Sequence, residues 1–406
     1  MRRVVTILMM LTVFMLAQED ARIGRDNTHL RKGPGSFYPL IGILQEGANV
    51  QIVVKQTAWT KVQCGGMSGW ASNNALSGSS KAASGLSSPG IPEDRPTMIS
   101  RASASGAVRG FAMTYWKKHA GNLEFSDQYD AAFFQPPEYE KFREETYRNR
   151  KPEKIRKRYR RIKIENKEPE IDSYLEKLGF AVAGQIAGSG LETNQAQLKY
   201  VNMVGNLVLE NTPLYYYPFK FYILSDERAV AYAAPNGMIF LSRGLLKIVE
   251  SEAGLACVLG HEIAHVVQQH GYSEMTKRKT QIVAGDAFDE LEEALPDGFS
   301  DDELDDLAFQ MFEAATSRRQ TKYEDEADML GAIYAYRAGY EPNDLVNVLK
   351  SIESMTDRNF WHPESNWQYD AIGDRVERVS AFIEKELDKS PNWNISNRQR
   401  FRLVFR

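Results

Sequence analysis

At 406 residues the chain exceeds the usual size of one domain, and its 43% hydrophobic and 26% charged residues are typical of a globular protein. A net charge of −4 and a pI near 6.0 argue against a dedicated nucleic-acid-binding protein, so no nucleic-acid partner is expected. The two cysteines, Cys64 and Cys257, lack the spacing of a metal-binding motif. We interpret them as small buried hydrophobic side chains rather than as a disulfide.

Residues 1–17 have the pattern of a secretory signal peptide. Arg2 and Arg3 precede the apolar run Val4 to Leu16, which ends at the small residue Ala17. The run is short for a membrane span, although an uncleaved N-terminal anchor is the alternative. We therefore expect an exported protein of the periplasm or cell envelope.

Residues 21–76 indicate a small all-β unit. Short apolar runs separated by glycines predict strands at 40–44, 50–54, 59–62 and 69–71. This stretch resembles a bacterial SH3-like domain, and the matching residues are Arg31, Gly33-Pro34-Gly35, Tyr38, Gly47, Trp59, Lys61-Val62 and Gly69-Trp70. The resemblance implies a peptide or cell-wall ligand, or a barrel that only positions its neighbour.

Two connecting segments follow. Residues 77–99 are rich in Ser, Gly and Pro and indicate a linker, and residues 100–168 indicate a helical and charged connector. Within the connector, Arg148 to Lys163 is strongly basic with interleaved tyrosines. This run predicts either a peripheral contact with anionic membrane lipid or a solvated helix face.

Residues 169–390 carry the chemistry. A strand is predicted at 219–224, and a hairpin of 229–233 and 238–241 closes on the turn Pro235-Asn236-Gly237. An exposed edge strand here would accept a protein or peptide substrate as an added strand. Ser251 is a plausible N-cap of the next helix, and Gly271 a plausible C-terminal cap.

That helix contains the sequence His261-Glu262-Ile263-Ala264-His265. Histidines four residues apart lie on one helix face, so both imidazoles can reach one metal ion. Glu262 can then act as the general base for a metal-bound water. A core helix with two hydrogen-bonded histidines and a surface glutamate is the alternative.

Two histidines leave a tetrahedral metal site short of a third protein ligand. His270 lies five residues after His265, on another side of an ideal helix, and the metzincin positions hold Gln268 and Gly271. Glu324 is the better candidate, because it shares a helix face with Asp328, which can hold a ligand histidine in one tautomer. The alternative is an exposed acidic turn, for which Glu326 is the candidate residue.

The motif at 261–265, the Glu324-Asp325-Glu326-Ala327-Asp328 sequence and the stretch from Ala234 to Leu246 together resemble one metallopeptidase family. It is the gluzincin family of HtpX-like and CAAX-prenyl-protease-type zinc enzymes, and the resemblance covers about residues 169–384. It implies one Zn²⁺ per chain held by His261, His265 and Glu324, with Glu262 as the base. His362 and Arg375 resemble a late pair of the family that approaches and stabilises the metal site, so both are candidate catalytic residues.

The expected fold is α+β. A small all-β SH3-like barrel precedes, along the chain, a mostly helical zincin-type metallopeptidase domain with a small β-sheet. Acidic residues 286–306 predict a lid or a solvated insertion, and residues 391–406 a C-terminal tail. The predicted function is zinc-dependent endoproteolysis of envelope proteins, in quality control or processing. The alternative is an envelope binding or chaperone module in which the barrel does the binding and the metal site is regulatory.

Overall fold

The computed structural model describes residues 19–25, 28–77, 101–129, 132–147, 173–273, 301–317, 320–356, 369–387 and 395–406. The chain divides into two compact units, Met1–Ser100 and Arg101–Arg406. The predicted signal peptide, the basic run, most of the linker and of the acidic segment, and His362 lie outside the described residues.

The first unit is an antiparallel sheet of seven strands. Its strands are β1 (Glu19–Ile23), β2 (Thr28–Arg31), β3 (Leu40–Leu44), β4 (Asn49–Lys55), β5 (Trp59–Cys64), β6 (Met67–Ser72) and β7 (Leu76–Ser77). They follow one another across the sheet in the order β3-β2-β6-β5-β4-β1-β7. Gly65 and Gly66, at φ of 54° and 81°, form the tight turn that joins β5 to β6. Leu30, Val50 and Val62 are buried at its core.

The second unit is mostly helical with a small sheet. Its described helices are α1 (Arg101–Lys118), α2 (Phe125–Tyr129), α3 (Pro136–Tyr147), α4 (Ser173–Ile186), α5 (Gln195–Leu209), α6 (Arg243–Ile248), α7 (Glu252–Val267), α8 (Asp301–Thr316), α9 (Thr321–Arg337), α10 (Asn343–Thr356), α11 (Tyr369–Glu386) and α12 (Arg398–Phe405). Together with the all-β first unit, this confirms the predicted fold class. None of these helices is long and apolar enough to cross a membrane.

The small sheet contains the predicted strand and hairpin. Strands β8 (Lys220–Leu224), β10 (Met238–Ser242) and β9 (Ala231–Ala233) lie in the order β8-β10-β9, with β8 parallel and β9 antiparallel to β10. The outer edge of β8 is covered, because Asn202 of α5 both donates to the Phe221 carbonyl and accepts from its amide. In the described part of the chain, β9 forms the other edge.

Helix α7 is central to the second unit, and each of its residues is buried. The Ser251 hydroxyl accepts from the Gly254 amide at 2.9 Å, which confirms the predicted N-cap. The predicted C-terminal cap at Gly271 is wrong. The helix ends at Val267, and the left-handed residue after it is Gln269, at φ 53°.

Helices α7 and α9 cross in backbone contact. A Cβ on Gly260 would lie 2.8 Å from the Gly331 carbonyl oxygen, and a Cβ on Gly331 would lie 2.7 Å from the His261 amide nitrogen. Any side chain at either position would hold the helices apart. The crossing therefore sets the distance between α7 and α9.

The segment predicted only as a C-terminal tail contains α12, which docks on the N-terminus of α7. Glu252, the first residue of α7, is fully buried and accepts hydrogen bonds from Tyr200, Tyr340, Asn397 and Arg400. A carboxylate at a helix N-terminus also interacts favourably with the helix dipole. These four donors tie the start of α7 to α5, to the segment after α9 and to the C-terminal segment.

Candidate metal centre

Three side chains from α7 and α9 meet in a buried cluster. The Nε2 atoms of His261 and His265 lie 3.0 Å apart, and each lies 3.5 Å from a different carboxylate oxygen of Glu324. One donor atom from each residue lies within 4.8 Å of the others, and all three residues are buried. The three sequence-predicted ligands are thus brought together with their donor atoms facing one another.

Asp328 and Arg375 support this cluster from behind. Asp328 Oδ1 lies 2.8 Å from His261 Nδ1, on the side of the ring away from Glu324. Arg375 donates from Nε and Nη2 to the two oxygens of Asp328, each at 2.8 Å, and its Nη1 lies 3.2 Å from Glu324. The guanidinium therefore contacts both Asp328, which orients His261, and Glu324, which belongs to the cluster.

Charge and burial shift the ionisation of these groups. Burial alone lowers the pKa of His261, but the carboxylates of Asp328 and Glu324 outweigh it and raise that pKa to about 9. Burial alone raises the pKa of Asp328, but Arg375 and His261 hold it below its usual range. Without a metal ion, His261 is therefore protonated at both ring nitrogens at neutral pH. A bound cation would displace one of these two protons.

Glu262 follows His261 on α7 and is 2% exposed. Its predicted function as a general base stays a prediction, as does that of His362, which lies outside the described residues. Glu326, the candidate for an exposed acidic side chain, does not belong to the cluster. Its Oε2 lies 3.3 Å from His270 Nε2, and its side chain is 47% exposed.

His270 is the residue that sequence reasoning set aside. It is 2% exposed, and its Nδ1 lies 2.8 Å from Nδ1 of His265. On a continuing helix it would point away from His265, but the left-handed Gln269 turns it back. The only sequence signal was a third histidine close to the motif.

A small cleft lies beside the cluster. His265 and Val266 of α7 form part of its wall, and Ala233 and Pro235 of the β9–β10 hairpin face them. Met311 and Ala315 of α8 contribute further apolar surface. The cleft thus lies between α7, α8 and the β9–β10 hairpin.

Comparison with known proteins agrees with both units. Residues 195–381 match Peptidase family M48, and residues 25–78 match the Bacterial SH3 domain family. The first match contains every residue of the cluster.

Curated relatives align with part of the chain. The chain is 28% identical over 192 residues to the beta-barrel assembly-enhancing protease of Yersinia pestis, covering 46% of this chain and 39% of that protein. It is 28% identical over 197 residues to metalloprotease YcaL of Escherichia coli K12, covering 47% and 73%. It is 31% identical over 133 residues to the mitochondrial metalloendopeptidase OMA1 of Arabidopsis thaliana, covering 33% and 25%.

The chain thus spans 39% of the length of the Yersinia relative. The matched segment carries both histidines, the intervening Glu262 and the Glu324 carboxylate in one buried arrangement. Residues 195–381 are therefore a peptidase family M48 domain, which follows a bacterial SH3 domain at residues 25–78.

Proposed function

We propose that this protein is a zinc-dependent metalloendopeptidase that cleaves proteins of the cell envelope, in quality control or processing. The observation that carries the proposal is the buried cluster of His261, His265 and Glu324 inside the M48 match. The names of the Yersinia and YcaL relatives, a protease and a metalloprotease, support the same reaction class.

The donor set suits zinc. Bonds of 2.0–2.1 Å to a tetrahedral ion place two ligand atoms about 3.3 Å apart. The donor separations here are 3.0 Å and 3.5 Å, and two imidazoles with one carboxylate form a donor set that zinc enzymes use. When bound, zinc would polarise the scissile carbonyl and acidify a water at the fourth coordination position.

The protein's own residues supply the remaining steps. Glu262 takes the proton from the attacking water and passes it to the leaving amine. Asp328 accepts from His261 Nδ1, which leaves Nε2 as the metal donor. Arg375 holds Asp328 and Glu324 in place, since three of its nitrogens face their oxygens. His362 and Arg375 stay candidates for stabilising the oxyanion of the tetrahedral intermediate.

The substrate would bind as an extended strand along β9. Two observations support this edge over that of β8: Asn202 occupies the outer edge of β8, and the cleft beside His265 is bounded by Ala233 and Pro235 of the β9 hairpin. Main-chain hydrogen bonds to β9 would provide affinity without demanding one sequence, as degradation of misfolded proteins requires. The SH3 domain is proposed to bind a peptide or cell-wall ligand.

The test is Glu262→Gln, which removes the base and keeps the side-chain shape. The variant should bind zinc as the wild type does and fail to cleave an unfolded protein such as reduced casein. Normal cleavage by the variant would refute the mechanism.

The alternative function, binding without proteolysis, makes the opposite prediction in cells. It requires Glu262→Gln to complement a deletion strain fully, while removal of residues 21–76 abolishes complementation. The match of residues 25–78 to a bacterial SH3 domain is the observation in its favour.

A further inference from the structure

We propose that His270 is a positioning residue that fixes the orientation and tautomer of His265, and that Glu326 in turn orients His270. The inference rests on the proposed function, because it concerns how the protein prepares one donor of the metal cluster. It assigns a part to a buried histidine that neither the motif nor the predicted ligand set includes.

The backbone brings His270 to this position. At about 100° per residue, a residue five positions after His265 would point roughly 140° away from it on a continuous helix. Instead α7 stops at Val267, and Gln269 adopts the left-handed conformation at φ 53°. This conformation is unfavourable for a residue with a Cβ, so surrounding contacts must maintain it. The consequence is an Nδ1-to-Nδ1 distance of 2.8 Å between His265 and His270.

The positions of the ring protons follow from the geometry. If Nε2 of His265 donates to a metal ion, the one proton of the neutral ring must lie on Nδ1. Nδ1 of His270 must then accept, which places the His270 proton on Nε2. That nitrogen lies 3.3 Å from a carboxylate oxygen of Glu326. Donation thus runs in one direction, from His265 to His270 to Glu326.

His261 and His265, the two candidate histidine ligands, therefore each have an acceptor at Nδ1. Asp328 faces Nδ1 of His261 at 2.8 Å, and His270 faces Nδ1 of His265 at the same distance. Acceptors at this position of a ligand imidazole fix its tautomer and raise its basicity. The acceptor for His261 is the carboxylate of Asp328, and the acceptor for His265 is the imidazole of His270.

Packing holds His270 rigidly. Its ring is 2% exposed and lies against the ring of Tyr323, with centroids 4.6 Å apart. Tyr323, Glu324 and Glu326 all belong to the first turns of α9. His270 thus joins the C-terminal end of α7 to the part of α9 that supplies the carboxylate of the cluster.

The experiment measures zinc affinity of the full chain by competition with a chromophoric chelator. His270→Phe keeps an aromatic ring against Tyr323 and removes the acceptor, whereas His270→Asn keeps an acceptor oxygen near the position of Nδ1. The matched control is His119→Phe, because His119 lies outside the cluster and contacts Asp305.

We expect His270→Phe to bind zinc about 10–100-fold more weakly, the range found when such supporting residues are replaced. His270→Asn should recover most of this loss, and His119→Phe should match the wild type. Equal zinc affinity in the wild type and His270→Phe overturns the inference. An equal loss in the Phe and Asn variants does so too, since it would indicate packing rather than hydrogen bonding.

A second measurement needs only the wild type and stands if His270→Phe does not fold. Long-range ¹H–¹⁵N spectra of the zinc-loaded protein should show His265 protonated at Nδ1 and His270 at Nε2. Any other tautomer of either ring overturns the inference. Wild-type protein that binds no zinc would overturn the proposed function itself, so the two failures are distinguishable.

Discussion

The crossing of α7 and α9 predicts that Gly331→Ala will disturb the metal cluster through the backbone contact between the two helices. The new Cβ would lie 2.7 Å from the His261 amide nitrogen and 2.9 Å from its Cα. An ordinary contact begins at 3.4 Å, so α9 must shift away from α7 by about 0.7 Å. The partner atoms are backbone and cannot move aside as a side chain would.

This shift is large relative to what a metal site tolerates. Metal–ligand distances hold to within about 0.2 Å, and Glu324 sits on the helix that must move. We therefore expect zinc affinity to fall by at least about tenfold. Overpacking of the crossing should also lower the free energy of unfolding of the metal-free protein by about 1–3 kcal/mol.

Zinc affinity would be measured by chelator competition and stability by urea unfolding of the metal-free chain. Gly271→Ala is the matched control, because nothing lies within 4 Å of the Cβ that it would add. It should leave zinc affinity unchanged. Wild-type zinc affinity in Gly331→Ala would show that the crossing does not control the cluster.

Three further predictions concern charge. Because the pKa of His261 is raised to about 9, its proton is present at pH 7, and zinc must displace it. Zinc affinity should therefore rise about tenfold from pH 7 to pH 8 with release of about one proton, measured calorimetrically in buffers of different ionisation enthalpy; pH-independent binding would contradict this. Arg375→Met leaves the fully buried Asp328 without its guanidinium and should cost about 3–5 kcal/mol in urea unfolding. Its control Arg378→Met, whose side chain is 36% exposed, should cost less than about 1 kcal/mol, and equal losses would contradict the reasoning. Arg400→Met should cost about 3 kcal/mol by removing the guanidinium from Glu252, whereas Arg402→Met on the exposed side of α12 should change stability by less than about 0.5 kcal/mol. An unchanged free energy of unfolding in Arg400→Met would contradict this expectation.

Local patterns in the sequence predicted the parts of the site that depend on helix periodicity. The spacing of His261 and His265, and of Glu324 and Asp328, places each pair on one helix face. In the structure His261, His265 and Glu324 meet at one point, and Asp328 lies at the other ring nitrogen of His261. The N-cap at Ser251 and the β9–β10 hairpin were equally local and were also predicted correctly.

Features that depend on an exception to the regular pattern were missed. The position of His270 follows from a left-handed Gln269, a conformation that favours glycine, so the sequence suggested Gly271 instead. The covering of the outer edge of β8 was likewise not predicted, because Asn202, which covers it, lies in a helix with no polar motif of its own.

Contacts between distant segments could not be predicted from periodicity either. Arg400 and Asn397 converge on Glu252 from the end of the chain, and nothing near Glu252 in the sequence marks it as a buried acceptor. A buried carboxylate requires partners, but the sequence does not show which segment supplies them.

These missed contacts hold the two ends of one helix. At its N-terminus, Glu252 is tied to Arg400 and Tyr340, and beyond its C-terminus His270 is tied to Glu326 of α9. Both attachments lie outside the metal cluster, yet α7 carries two of the three candidate ligands and the candidate base. Because the helix is rigid, a shift at either end must move His261 and His265 relative to Glu324. A change at Arg400 should therefore weaken zinc binding as well as stability, although no atom of Arg400 belongs to the cluster.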